Sequence, residues 1–322
     1  AVLRPAARPL TVDTWFDLAS LTKPLVTTTL ALLAFRSGVL TPTTTVGEVM
    51  DETRGSAVGG LDLRRLLTHT AGLPAWLPLY CLAEGDPRRL PACLARLELA
   101  ARPGARVIYS CVGFIITGLM LERAAAAGLA ELAGGHILRP LGLEEDLAFN
   151  PDPARRRLAG HAAAPASEQR LVREHGFDPR WIPTTGEGRP DDGNARFLGG
   201  AAGNAGLFGT AHGVWRLAAE YLEGGGTLLR PEEAATATAS LTPGLGQERG
   251  LGWQLAATAG CSAGPALAPT AFGHSGFTGV SLWAEGASRA RFVLLANRIH
   301  PGHRAIELHP LRRRFHRLAA GS

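Results

Sequence analysis

The sequence predicts an α+β fold: a mostly antiparallel sheet flanked by helices, with a helical region inserted early in the chain. Three observations carry this. Helical periodicity dominates the first part, period-two segments cluster in the last third, and one more helical segment closes the chain. At 322 residues and 46% hydrophobic, the chain has enough apolar material for a sizeable core. That excludes a disulfide-stapled miniprotein and a disordered chain.

The elements follow in order. Residues through Pro9 are rich in Pro and Arg and read as a loop or entry strand. A helix begins near Ser20, with Leu21, Leu25 and Leu32 on one face and Gly38 as its stop. Pro24 fits only a first turn, so Ser20 lies at the helix N-terminus. A short helix over 61–67 leads into the turn His69-Thr70-Ala71-Gly72-Leu73-Pro74. A long apolar helix spans 112–127, closed by Gly128, and a third covers 130–138. Residues 150–206 lose periodicity and read as loop-rich covering structure. Residues 211–223 are helical again, stopped by Gly224-Gly225-Gly226. Strands are predicted at 251–255, 279–283 and 292–296, and a final helix at 303–318 with Pro310 inside it.

Charge narrows the function classes. Lys and Arg number 33 against 28 acidic residues, a net +5 that is mild at this length and gives little support to nucleic-acid binding. Arg155-Arg156-Arg157 and Arg312-Arg313-Arg314 read as solvated faces. The longest apolar run, 112–121, is too short to span a bilayer. The four cysteines (Cys81, Cys93, Cys111, Cys261) lack metal-ligand spacing and read as free thiols, with a Cys81–Cys93 disulfide as the alternative. Asp191-Asp192 with Asn194 reads as a structural loop rather than a cation site. Without an initiator Met or a signal peptide, the sequence leaves the compartment open between cytoplasm and periplasm.

One residue stands apart. Lys23 is the only lysine in a chain that uses Arg elsewhere. Arg cannot be deprotonated in a protein, whereas a buried Lys can lose its proton. Ser20-Leu21-Thr22-Lys23 is an S-x-x-K tetrad, and residues three apart on a helix share a face. A serine hydroxyl needs a base beside it to act as a nucleophile, and a helix N-terminus suits a developing oxyanion. Two further segments bear on the tetrad. Tyr109, in Val107-Ile108-Tyr109-Ser110-Cys111, offers a phenol that can relay a proton, the alternative being a packing tyrosine. Gly273-His274-Ser275-Gly276-Phe277 leads into a strand, where a backbone N–H can serve as a second oxyanion donor. His69 reads as a hydrogen-bonded structural residue of its turn.

These segments resemble the serine β-lactamase-related family, which includes class C β-lactamases, DD-peptidases and related esterases. Its motif order is S-x-x-K, then Y-x-N, then K-T-G or H-x-G, and Ser20, Tyr109 and His274 fill the three places in order. Leu66-Leu67-Thr68-His69-Thr70-Ala71-Gly72-Leu73-Pro74 and Gly203-Asn204-Ala205-Gly206-Leu207-Phe208 also resemble family turns, and the likeness covers roughly residues 10–300. It implies a single β-lactamase/DD-peptidase-like domain, with 1–45 and 207–322 supplying the sheet-containing part and 46–206 the helical, loop-rich part. It also implies catalysis by Ser20, Lys23 and Tyr109, an oxyanion hole from the N–H groups of Ser20 and Phe277, and substrate contacts from His274, Ser275, Gly276, Phe277 and Cys111.

Cys111 stands where relatives carry Asn or Asp, and Asn204 where close relatives often carry His. A thiol hydrogen-bonds an amide poorly, which favours ester or amidase work over β-lactam turnover. Only nineteen residues precede Ser20, fewer than in relatives, so either the sheet lacks its opening hairpin or the sequence is a fragment of a longer protein. The expected function is a serine hydrolase with no metal or organic cofactor, acting on a small-molecule ester, amide or muropeptide. The alternative from another class is a weakly catalytic module that recognises cell-wall peptide.

Overall fold

The computed structural model describes residues 2–3, 8–160, 166–222, 224–299 and 307–321. Its strands, in chain order, are β1 (Val2–Leu3), β2 (Arg8–Pro9), β3 (Phe16–Asp17), β4 (Leu147–Phe149), β5 (Leu207–Gly209), β6 (Gln254–Leu255), β7 (Phe272–Ser275), β8 (Ser281–Ala284) and β9 (Arg291–Leu294). Every ladder between them is antiparallel. The largest sheet runs β6-β7-β8-β9, the second β3-β5-β4, and β1 pairs with β2 apart from both.

The four-stranded sheet is buried because β8 is. All four of its residues are inaccessible, with Trp283 pairing Gly273 on one side and Phe292 on the other. A Cβ on Gly273 would lie 2.3 Å from the Trp283 ring, so the indole occupies the space a side chain would need. Helices Ala211–Ala218 and His309–Ala319 pack against β9. The largest hydrophobic cluster takes in Phe16 and Leu21, then Phe114 and Ile116 of the helical region, then Val280 and Leu282 of the sheet.

The long helix is the spine of the helical part. It spans Cys111–Ala125 and packs on Val46–Val49, Leu63–Leu67 and Thr29–Ser37. It starts one residue before the predicted 112 because Ser110 caps it, Oγ accepting the Gly113 N–H at 3.0 Å. It ends at Ala126, in the left-handed region at φ 51°, not at Gly128, which instead precedes the next helix. That next segment is helical from Leu129 through Leu141, longer than the predicted 130–138.

Other elements differ from the sequence reading in instructive ways. The helical run after Ser20 opens with a tight turn at Ala19–Leu21, widens over Lys23–Thr28 and becomes regular at Thr29–Ser37. In the wide turn the Pro24 carbonyl accepts the Tyr221 hydroxyl at 2.9 Å. The predicted loop 150–206 contains helices Ala166–Glu174 and Gly193–Phe197. Pro231–Thr238 is a helix absent from the sequence reading, although Pro in its first turn and Glu233 accepting the Arg230 N–H at 2.8 Å are a start signal. The 211–223 helix tightens after Ala218. Strand 251–255 shrinks to β6, and strands 279–283 and 292–296 shift to β8 and β9. The segment read as a turn before β8 is itself β7. The final helix begins at His309, so Pro310 sits in its first turn, where a missing N–H costs nothing. Residues 303–306 of the predicted helix lie outside the described residues.

Two further readings are corrected. Arg312 is not solvated: it is 5% exposed and donates to the Gly276 and Val280 carbonyls at 3.0 and 2.8 Å. Arg156 stacks over Trp15 at 4.9 Å and pairs with Glu145 at 2.6 Å, so it too is more than a surface charge. The four cysteines are free, and the Cys81 and Cys93 thiols point to the carbonyls of Asp178 and Leu82. No single helix among the described residues is long and apolar enough to cross a membrane.

Candidate active site

The site starts from a strained turn. Ala19 holds φ 45°, which a non-glycine residue rarely adopts without support. The support comes from the residues around it. The Ala19 N–H donates to Asp17 Oδ1 at 2.8 Å, and the Ala19 carbonyl accepts the Thr22 hydroxyl at 2.6 Å. Thr22 Oγ1 in turn accepts the Leu207 N–H at 3.1 Å, tying the turn to β5. Ser20 follows Ala19 and is partly exposed at the cleft floor.

Lys23 comes round onto the same face. Its Nζ donates to Ser20 Oγ at 3.0 Å, to the Asn204 carbonyl at 3.0 Å and to Cys111 Sγ at 3.5 Å. The ammonium lies 5.0 Å from the centre of the Tyr109 ring and is fully buried. Burial pushes the Lys23 pKa down, but the ionisable Cys111 thiol and Tyr109 phenol beside it outweigh that, and the net direction is upward. Burial pushes both Tyr109 and Cys111 upward too, against the pull of Lys23. The resting state is therefore an ammonium among a neutral phenol and a neutral thiol. Burial by itself does not make Lys23 a free base, contrary to the simplest sequence expectation.

Tyr109 is placed by the His69 turn. The Ile108 N–H donates to the His69 carbonyl at 2.8 Å, and the Ser110 N–H to His69 Nδ1 at 3.0 Å. The Cys111 N–H donates to the Ala75 carbonyl at 2.8 Å. Segment 108–111 is thus pinned along the turn on both sides of Tyr109. His69 also stacks on Tyr109 with ring centres 4.6 Å apart. Accepting at Nδ1 fixes the His69 proton on Nε2. His274, on β7, is the opposite tautomer. Its Nδ1 lies 2.9 Å from the Ser275 carbonyl, which can only accept, leaving a lone pair on Nε2. The His274 ring centre is 5.7 Å from that of Tyr109. Burial, reinforced by Lys23 and Arg249, drives both imidazoles well below the ordinary histidine range, so both are neutral.

The turn 276–280 closes the site. Gly276 packs on the Ser20 turn so tightly that a Cβ would stand 2.9 Å from the Leu18 carbonyl. The Thr278 hydroxyl donates to the Asp17 carbonyl at 2.7 Å. The hydrogen bonds within this turn use the N–H groups of Gly276 and Gly279, not that of Phe277. Ser275 pairs with Ser281 in the ladder, and the Phe277 side chain is 56% exposed at the cleft.

The cleft above Ser20 has a volume of about 270 Å³. Ser20, Tyr109, Cys111, Phe277 and Thr278 line it, and so do Trp76, Glu168, Asp191 and Asp192. Of the predicted residues, then, Ser20, Lys23, Tyr109 and Cys111 converge directly, His274 flanks Tyr109, and Gly276 and Phe277 form the facing turn. Ser275 contributes through the strand. Sequence reasoning missed Asp17, Trp76, Glu168 and the Asn204 carbonyl. Asp17 lay inside the quoted motif, two residues before the strained Ala19, and a side-chain acceptor just ahead of a helix start is a readable signal. Within 191–194, Asp192 Oδ1 caps the helix Gly193–Phe197, and Asn194 bridges Leu77 and Leu79.

Known proteins share the family and the fold. The beta-lactamase family model matches residues 3–316. The chain is 29% identical over 332 residues to "Esterase EstB" of Burkholderia gladioli, covering 93% of this chain and 81% of that one. It superposes on a "Beta-Lactamase/D-Alanine Carboxypeptidase from Pseudomonas syringae" with TM-score 0.73 and 20% identity, over 99% of this chain and 88% of that one. It also superposes on "EstCE1, a hydrolase with promiscuous acyltransferase activity" with TM-score 0.72 and 24% identity, over 98% and 87% of the two chains.

Proposed function

Because this chain belongs to the beta-lactamase family, we propose that it hydrolyses a small ester or amide through an acyl-enzyme on Ser20. One observation supports this above the others. The only lysine of the chain is fully buried with Nζ 3.0 Å from Ser20 Oγ.

In the proposed cycle, Ser20 Oγ attacks the substrate carbonyl carbon and its proton passes to the Lys23–Tyr109 pair. The pair must first have lost one proton, from either member. The N–H groups of Ser20 and Phe277 receive the oxyanion. The pair then protonates the leaving alcohol or amine as the C–O or C–N bond breaks. Water enters, gives its proton to the same pair and attacks the ester carbonyl, releasing the carboxylic acid and returning the proton to Ser20. His274 flanks Tyr109 as a neutral, buried imidazole. Cys111 beside Lys23 leaves the cleft without the amide partner an asparagine would supply, which supports esters over β-lactams as substrates. The name "Esterase EstB" of the sequence relative agrees with that direction.

The test is intact-mass spectrometry after a fluorophosphonate probe, with p-nitrophenyl butyrate hydrolysis alongside, on the wild type, Ser20→Ala and Lys23→Arg. One adduct is expected in the wild type and none in Ser20→Ala. Lys23→Arg keeps the charge but should lose about 10²–10⁴-fold in turnover. Labelling without turnover would favour the cell-wall-peptide binding module. No adduct on a folded protein would overturn the acyl-enzyme reading.

A further inference from the structure

Besides Ser20, Tyr109, Cys111 and Phe277, the cleft is lined by Trp76, Glu168, Asp191 and Asp192. The mechanism above uses none of these four. Their charges do not balance internally. Glu168 is satisfied: it pairs with Arg196 at 2.5 Å and accepts the Tyr80 hydroxyl at 3.0 Å. Arg196 spends its remaining donors on the carbonyls of Pro183, Pro190 and Asp191, not on a second carboxylate. Asp192 uses Oδ1 to cap a helix and has no ion pair among the described residues. Asp191 is 9% exposed, and its Oδ1 has no hydrogen-bond partner.

A buried carboxylate oxygen without a partner is costly, so this one calls for an explanation. Asp17 lies behind it, with Oδ2 accepting the Asp191 N–H at 2.7 Å, and adds a second negative charge rather than relief. Burial, reinforced by Asp17 and only partly offset by Arg196, pushes Asp191 up to about 7; Glu168 and Asp192 also face it and act in the same direction as Asp17. The missing element is a cation arriving from the cleft. Trp76, which lines the same cleft, is the residue type that best accepts one on a ring face. An indole face and two carboxylates suit an organic ammonium, and among the described residues no group of three His, Cys, Asp or Glu is arranged to hold a metal ion.

We propose that the part of the cleft lined by Trp76, Asp191 and Asp192 is a subsite for a protonated amine on the substrate, so that the preferred ester or amide bears an amino group. The inference rests on the hydrolase reading only in taking this cleft as the substrate site. Binding of the amine should draw a proton off Asp191, because the incoming charge stabilises its carboxylate.

Calorimetric titration of the full chain at pH 8 with benzylammonium chloride and with benzyl alcohol tests this without any turnover. The ammonium should bind about tenfold or more tighter than the alcohol. Its advantage should shrink several-fold at pH 6, where Asp191 holds its proton. Asp192→Asn and Asp191→Asn should each narrow the ammonium-to-alcohol ratio, and a ratio taken within one variant is insensitive to partial loss of folded protein. Equal binding of the two probes by the wild type, or a ratio untouched by both variants, overturns the subsite. Ser20 labelling separates the two readings. Labelling with no ammonium preference sinks the subsite alone. Ammonium preference without labelling keeps the subsite and sinks the acyl-enzyme.

Discussion

At the scale of single residues, the site is governed by where protons rest. Lys23, Tyr109 and Cys111 share a buried pocket, and all three hold their protons more tightly than they do in water. In the proposed cycle, the form competent to take the serine proton has lost one proton from the Lys23–Tyr109 pair. Raised pKa values mean that this form grows as pH rises, so kcat/KM for p-nitrophenyl butyrate should climb through pH 7–10, about tenfold per unit at the steepest. The two histidines beside Tyr109 add no step near neutrality, since burial holds both neutral. A profile that is flat from pH 6 to 9, after subtraction of the spontaneous rate, would contradict this assignment.

At the scale of elements, the decisive contact is between the long helix and the loop before β5. Gly118 and Gly203 meet backbone to backbone: a Cβ on Gly203 would sit 1.9 Å from the Phe114 carbonyl. The Gly203 carbonyl also accepts the Thr27 hydroxyl at 2.7 Å. The next residue is Asn204, whose carbonyl holds Lys23, while Cys111 heads the helix on the other side. Gly203→Ala should therefore push the helix off the loop and disturb both partners of Lys23. The expected result is a loss of about 2–3 kcal/mol in a denaturant titration, with a larger proportional fall in kcat than in apparent affinity. A variant with wild-type stability and turnover would show that the close approach is dispensable.

At the scale of the whole molecule, segments far apart in sequence meet at the Ser20 turn. Asp17 anchors that turn, and its carbonyl accepts Thr278. From the other end, Arg312 of the last helix inserts beneath the sheet and donates to the carbonyls of Gly276 and Val280, bracketing Phe277. The turn that should carry an oxyanion donor is thus clamped by a side chain from the final helix. Arg312→Ala removes two charge-assisted hydrogen bonds and leaves the Val280 carbonyl with only the Gly276 N–H and the Gly276 carbonyl with only the Gly279 N–H. It should cost about 2–4 kcal/mol in stability. It should also lower kcat for the ester even under conditions where the variant is fully folded. Unchanged kcat in the folded variant would mean that the turn keeps its shape without the clamp.

Which parts of this were open to the sequence follows from the range over which each signal acts. Ser20 and Lys23 could be paired from spacing alone, because one helical turn brings residues three apart together whatever the rest of the chain does. The α+β class came from periodicity, which is likewise local, and the family likeness came from three short motifs in order. Helices 166–174 and 231–238 escaped because Ala, Glu and Arg supply little apolar rhythm, and strand β7 escaped because its Gly and His look like a turn. What only the tertiary structure decided depends on distant segments. Arg312 reads as one of a solvated run until the fold buries it against residues more than thirty positions away. The acidic part of the cleft lining brings Glu168, Asp191 and Asp192 beside Ser20, a grouping no spacing rule connects. The proton positions were equally closed to the sequence. Desolvation and through-space charge fix them, and both depend on which groups the fold packs around Lys23.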